Sequence, residues 1–291
     1  MLPTQPSPPG RRPEADNGFP WPVIVAYHAV SSTWRSPLAV SEETLRHQLD
    51  LFRRRGYIGL TLADSERRRL EGQLPPRSLV VTFDDGFHSV LRAKPILEEL
   101  GFPATVFVVT SFVDSGLPLE WPGLEEVGID GADDRTSLSW DELGELREEG
   151  WEIGSHTVTH AHLPDLDDAA LKEELTVSRD AVAARFGSCD TISYPYGLAD
   201  RRVAAAAERA GYVGAVTLTR AHAADERFLR PRVNLDSKDH GLRLHLTLSM
   251  PGLKLRRSKL LADLEARAGR PPWVPSAPVE PRGDTEGSTR A

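Results

Sequence analysis

From Val23 to about Leu218 the chain alternates short β-branched or apolar runs with amphipathic stretches, and this alternation restricts the fold more than any other feature. Strands are expected at Val23–Tyr27, Ser78–Phe83, 104–109, 152–154 and 213–218. Helix signals lie between them. Ser41 stands as an N-cap, Glu42 and Glu43 complement the helix dipole in the first turn, and Leu45, Leu49 and Phe52 form one apolar face. Residues 89–100 read as a helix ended by Gly101. Ser139-Trp140-Asp141-Glu142 has capping-box spacing and opens a helix to about Glu149. Further helices are read over 167–186 and 199–210. Strand and helix repeating at this spacing imply a parallel sheet with right-handed crossovers. With this many units in one α/β domain, a closed or nearly closed barrel is expected rather than an open sheet. Chemistry then belongs at the C-terminal ends of the strands.

Proline marks the limits of that domain. Residues 1–22 hold seven of the 23 prolines and residues 271–291 hold five. We therefore expect a disordered Pro-rich arm at 1–18, a barrel domain at 19–269 and a disordered tail at 270–291. The first segment has no apolar h-region, so no secretory signal is read and a cytoplasmic location is expected, with export by another route left open. Lys+Arg number 35 and Asp+Glu 43, a net charge of −8, which argues against nucleic acid or an anionic membrane surface as partner. No apolar run approaches the roughly 20 residues of a transmembrane helix. Cys189 is the single cysteine, so any metal must be held by histidines and carboxylates.

Four groups of residues fall where strands end. Asp84-Asp85-Gly86 follows the 78–83 run. Adjacent carboxylates repel unless a cation is near, although Asp-Asp-Gly is also good turn chemistry. His156 and His160 follow the 152–154 run, and an i, i+4 pair meets if the segment makes one helical turn. Histidines with a carboxylate suit a catalytic zinc that keeps a position open for water. His160-Ala161-His162 leaves a second pairing open. Ser193-Tyr194-Pro195-Tyr196-Gly197 is an aromatic turn, and Tyr27-His28 closes the first strand. Each group alone has an ordinary structural reading; together they bring carboxylates, imidazoles and an aromatic wall to one end of a barrel.

Thr82-Phe83-Asp84-Asp85-Gly86, His156-Thr157-Val158-Thr159-His160 and Tyr194-Pro195-Tyr196-Gly197 resemble, in order and spacing, the first three motifs of the polysaccharide deacetylases, the NodB-homology domains of carbohydrate esterase family four. The resemblance covers about residues 20–235. With Tyr27-His28, Ser139-Trp140 and Arg230-Pro231-Arg232-Val233 it is most similar to the branch that deacetylates poly-N-acetylglucosamine, in which the motif order is permuted. The resemblance implies a distorted (β/α)7 barrel and a divalent metal ion, usually zinc. It implies Asp85, His156 and His160 as metal ligands, Asp84 as general base and, in the permuted branch, His28 as general acid. Tyr196 and Pro195 would line the substrate side, with a backbone N–H beside Tyr196 helping to bind the oxyanion. The implied activity is hydrolysis of N-acetyl groups on an N-acetylhexosamine polysaccharide or oligosaccharide.

Two departures stand out. Many members of the family carry Arg where this chain has Ser193; Arg232, also counted on the substrate side, would take over the orienting of the base. The C-terminal Leu-x-His of the unpermuted branch is out of register, with His245 in Leu242-Arg243-Leu244-His245. Trp34, Trp121 and the segment 110–138 would shape a sugar groove, against the ordinary role of Trp in a core. Arg53-Arg54-Arg55 and Arg67-Arg68-Arg69 would either meet phosphate or form solvated helix faces. Competing readings keep the fold and change what it does. One is deacetylation of a small acetylated sugar, a glycolipid precursor or another amide; another is non-catalytic carbohydrate binding.

Overall fold

The structure is a computed structural model that describes residues 21–34, 36–121, 124, 132–218 and 226–247. The arm expected at 1–18, the tail expected at 270–291 and both outer limits of the 19–269 domain lie outside the described residues. The strands are β1 (Val23–Tyr27), β2 (Ala29–Val30), β3 (Ala39–Val40), β4 (Ile58–Leu60), β5 (Ser78–Phe83), β6 (Ala104–Val108), β7 (Glu152–Ser155), β8 (Thr191–Ser193), β9 (Gly214–Thr217), β10 (Arg230–Pro231) and β11 (Val233–Asn234). The helices are α1 (Glu42–Arg54), α2 (Leu62–Leu70), α3 (Lys94–Leu100), α4 (Trp140–Glu148), α5 (Asp168–Phe186), α6 (Arg201–Arg209) and α7 (Gly241–Thr247). None of the described helices is long and apolar enough to cross a membrane.

The large sheet is parallel throughout, in the order β10-β9-β8-β7-β6-β5-β1-β11, with β4 paired to the first half of β5. Its two ends are one stretch of chain interrupted at Arg232. β10 pairs with β9 through Arg230↔Val216, and β11 pairs with β1 through Val25↔Val233. At the break, Arg232 N–H donates to Thr217 O at 3.0 Å and Leu235 N–H donates to Ala26 O at 3.2 Å. Six continuous strands and this broken one therefore make seven positions around a nearly closed, distorted barrel.

Alternation along the strands separates two cores. Val23, Val25, Leu79, Val81, Val106 and Ala215 face outward into the main core, with Leu45, Leu49 and Phe52 of α1. Ile24, Val80, Phe107 and Val216 face inward, joined by Leu60 and Leu62. Each large side chain buried in this way contributes about 1.5–3 kcal/mol.

Local signals placed most of the helices. Ser41 caps α1 by accepting from Thr44 N–H, and Ser139 with Glu142 forms the full capping box of α4. The helix expected at 89–100 starts instead as a 3-10 stretch, His88–Ala93, before α3 and the left-handed Gly101. In the arginine runs, Arg53 and Arg54 pair with Asp50, Arg67 and Arg68 with Asp64, and Arg69 with Glu66. These acids lie one turn back on the same helices; Asp50 and Asp64 give the solvated-face arrangement rather than a phosphate cradle, whereas Glu66 is buried and draws Arg69 inward.

Candidate active site

The barrel's C-terminal mouth collects residues from the loops after β1, β5, β7 and β8. His28, Asp84, Asp85, His156, His160 and Tyr196 line one cavity of about 20 Å³, room for an ion or a single water. Leu38, Trp121, Gly197 and Leu218 complete its wall. The loops are bent sharply to do this. Asp85 (φ 72°), Thr157 (φ 70°), His160 (φ 61°) and Tyr196 (φ 58°) all occupy the left-handed region without being glycine. Such conformations cost free energy and persist where the surroundings enforce them. Gly86 (φ 73°) has a further constraint, since a Cβ there would sit 2.9 Å from Val108 Cγ1.

The two histidines meet by a different route from the one expected. Residues 156–160 make no helical turn; left-handed Thr157 and His160 fold the segment back, and Thr157 Oγ1 accepts from His160 N–H at 3.1 Å. Glu174 of α5 fastens this loop, accepting from Val158 N–H at 2.8 Å, Thr159 N–H at 3.1 Å and Thr159 Oγ1 at 2.6 Å. No sequence signal marks Glu174, which looks like any other acid on a long helix.

Asp85 Oδ1 lies 3.2 Å from His156 Nε2 and 3.5 Å from His160 Nε2, all three side chains being buried. Their ligand atoms lie within 4.8 Å of one another, and this is the metal-type His/Cys/Asp/Glu cluster found among the described residues. His156 Nδ1 stands 2.6 Å from the Ser193 carbonyl oxygen. A carbonyl only accepts, so Nδ1 carries the proton and Nε2 of a neutral ring turns its lone pair toward Asp85. Two acceptors that close need a proton or a metal cation between them. The donor set, two imidazole nitrogens and a carboxylate oxygen with one ring held from behind, fits a divalent ion such as zinc. Burial pushes the Asp85 carboxyl up, but hydrogen bonds with His156 and His160 reverse this and hold it well below the usual carboxylate range. Burial likewise lowers His160, favouring its neutral, ligating form, whereas on His156 the Asp85 hydrogen bond and the neighbouring carboxylates overcome burial and raise it.

Asp84 is handled differently. Arg232 Nη1 donates to its Oδ1 at 2.7 Å and Nη2 to its Oδ2 at 2.6 Å. The same guanidinium donates to Thr82 Oγ1 at 2.9 Å and Ser193 Oγ at 2.8 Å. Burial pushes Asp84 up, but the charge and hydrogen bonds of Arg232 bring it below the usual range. The Arg232 guanidinium thus offsets the repulsion from the Asp84 side, while Asp85 faces His156 and His160.

Not every expected residue reaches the cavity. Arg232 was expected on the substrate side, yet its side chain is 0% exposed and does not line the cavity, because its donors are turned to Asp84, Thr82 and Ser193. Pro195 is also buried and off the cavity, because the left-handed turn presents Tyr196 in its place. Burial raises the Tyr196 phenol to about 12, with the Asp85 charge adding to the effect. Trp121 lines the cavity, but Trp34 is buried edge-on against Phe87, 5.4 Å between ring centroids. His245 lies against Arg55, 3.2 Å from its Nη2, on the outer face formed by α1 and α7.

Comparison with known proteins is consistent with this architecture. Residues 71–215 match the polysaccharide deacetylase family. YxkH of Bacillus subtilis (strain 168), itself provisionally named a polysaccharide deacetylase, is 26% identical over 67% of this chain and 63% of its own length. The poly-beta-1,6-N-acetyl-D-glucosamine N-deacetylase of Escherichia coli (strain K12) is 30% identical over 47% of this chain. The matched part is 21% of that enzyme, so the chain spans under two thirds of both relatives. Among solved structures, the Streptococcus pyogenes deacetylase PplD superposes with a TM-score of 0.66 at 23% identity, covering 78% of this chain and 97% of that one.

Proposed function

This chain carries a polysaccharide deacetylase domain of the NodB-homology type, and on that footing we propose that it is a metal-dependent hydrolase removing N-acetyl groups from an N-acetylhexosamine-containing glycan. The observation that carries the proposal is the convergence of Asp85 Oδ1, His156 Nε2 and His160 Nε2, with the His156 tautomer set by Ser193. These three residues would hold the ion, with zinc the first candidate. Bound there, a divalent ion supplies Lewis acidity toward an amide carbonyl and lowers the pKa of a water.

The chain's own residues do the rest. Asp84 takes the proton of the attacking water on a carboxylate oxygen, kept ionised and in plane by the Arg232 fork. Arg232 reaches Ser193 Oγ as well, so it fills the orienting role of the arginine that other family members carry at that motif position. His28, half-buried on the cavity wall, donates a proton to the departing amine nitrogen. A backbone N–H beside Tyr196 meets the oxyanion. Trp121, Leu38 and Leu218 keep bulk water from the reacting atoms. The names of the curated relatives support N-acetylglucosamine polymers as the substrate class.

Metal analysis together with acetate release tests this reading. About one ion per chain is expected for a single catalytic site, lost in His156→Ala, with acetate released from N-acetylglucosamine oligomers. No ion after incubation with zinc would turn the reading to a non-catalytic binding module. Acetate from small acetylated sugars alone would overturn the glycan.

A further inference from the structure

His156 and His160 are oriented by different means. The ring of His156 is anchored through Nδ1 on the Ser193 carbonyl oxygen, 2.6 Å away. The Nδ1 of His160 is buried and has no hydrogen-bond partner among the described residues. A metal-ligating histidine almost always has its second nitrogen held by an acceptor, which fixes the direction of the ligating lone pair. What meets the His160 ring is aromatic. Trp121 lies over its face at 4.1 Å between centroids and 21° between planes, and Tyr196 meets it edge-on at 4.6 Å.

Trp121 is itself held from a distance. Its segment joins 135–138, where Leu119 N–H donates to Arg135 O at 2.8 Å. That segment runs back along the Asp84-Asp85-Gly86 turn, with His88 N–H donating to Thr136 O at 2.7 Å and Leu138 N–H to Gly86 O at 2.9 Å. Next to it, buried Asp134 accepts from Ser31 Oγ at 2.6 Å and Thr33 Oγ1 at 2.8 Å, and pairs with Arg92 Nη1 at 2.6 Å. The loop after β2, the stretch after β5 and the long excursion after β6 are thereby tied at one carboxylate.

We infer that Trp121 is the positioning residue for His160, its indole face doing for that ring what the Ser193 carbonyl does for His156, and that Asp134 is the latch that keeps Trp121 seated. The inference rests on the metal reading above. It assigns Trp121 first to the metal ligand rather than to a sugar ring.

The deciding experiment is zinc affinity of the full chain, stripped with a chelator and titrated against a chromophoric competitor, with melting curves to check folding. Trp121→Leu, which keeps apolar bulk but has no ring face, should weaken zinc binding about 10–100-fold, the usual cost of losing support behind a ligand. Trp121→Phe, which keeps a face, should stay within about threefold of wild type. Asp134→Asn leaves the indole intact and should weaken zinc about tenfold, so the inference stays testable if Trp121→Leu does not fold. Leucine binding zinc as tightly as phenylalanine, or Asp134→Asn binding as wild type, would overturn it. Absence of zinc binding by the wild type would instead remove the metal reading itself.

Discussion

Two arginines two residues apart on the broken last strand each bury a carboxylate, one at either end of the barrel. Arg230 pairs with Glu66 at the N-terminal end, where Arg69 also reaches Glu66 at 3.0 Å. Both guanidinium groups lie over Trp21, at 4.7 and 5.3 Å from its ring centroid. The first turn of α2 closes this end, with Leu62 N–H donating to Thr105 Oγ1 at 3.0 Å and Ala63 N–H to Glu152 Oε2 at 2.9 Å. Arg232 pairs with Asp84 at the C-terminal end, and there the carboxylate also borders a cavity, beside a second carboxylate and three imidazoles. The pairs share their chemistry and differ in what the acid faces. Glu66 is enclosed by cations and an aromatic ring, an arrangement for stability. Asp84 keeps one side toward the cavity, the arrangement that its proposed role as base requires.

Neutralising each acid puts that contrast under the greatest strain. Asp84→Asn should lower turnover by about 10²–10⁴-fold, the range for a positioned general base, while the metal stays bound. A fully active Asp84→Asn enzyme would sink the assignment. Glu66→Gln leaves Arg230 in the barrel without its counter-charge and should cost about 3–5 kcal/mol in denaturant unfolding. Turnover per folded, metal-loaded chain should be unchanged; a loss matching that of Asp84→Asn would erase the distinction between the two ends. Arg232→Lys keeps the charge but removes the fork, so we expect kcat to fall about 10–100-fold with the metal retained. Unchanged kcat would mean that Ser193 and Thr82 orient Asp84 unaided.

The smallest expected effect is a pH dependence at the closed end. Burial raises Glu152, even though Thr191, Ala63 and Thr105 donate hydrogen bonds to it. The folded state therefore prefers its protonated form. Wild type should lose stability relative to Glu152→Gln as pH rises from 4.5, the ordinary glutamate value, through the raised folded one. Denaturant curves for both proteins across the carboxylate range measure the difference; a gap that does not change with pH would mean that Glu152 ionises in the fold as readily as in the unfolded chain.

Much of this molecule is written locally. β1, β5 and β6 announce themselves as β-branched and apolar runs, and Ser41, Gly101 and Ser139 mark helix ends through their own backbone hydrogen bonds and φ. Asp84, Asp85, His156 and His160 were legible because a parallel barrel delivers whatever follows each strand to one mouth. The closing strand was not legible, since two-residue segments on either side of Arg232 carry no periodicity. The Arg232–Asp84 pairing was reached only through the resemblance, with Arg232 standing in for the arginine missing at Ser193; its two-pronged geometry, joining residues 148 apart, was not legible. Trp34 and Trp121 look alike in sequence and both are buried in the main core, yet packing sets Trp34 against Phe87 and lays Trp121 over His160. Periodicity, caps and motifs act over a few residues, so the strand–helix order and the chemical groups at the strand ends follow from the chain alone. How those groups are aimed follows from barrel closure instead, because left-handed turns, buried ion pairs and ring stacking depend on partners far apart in the chain.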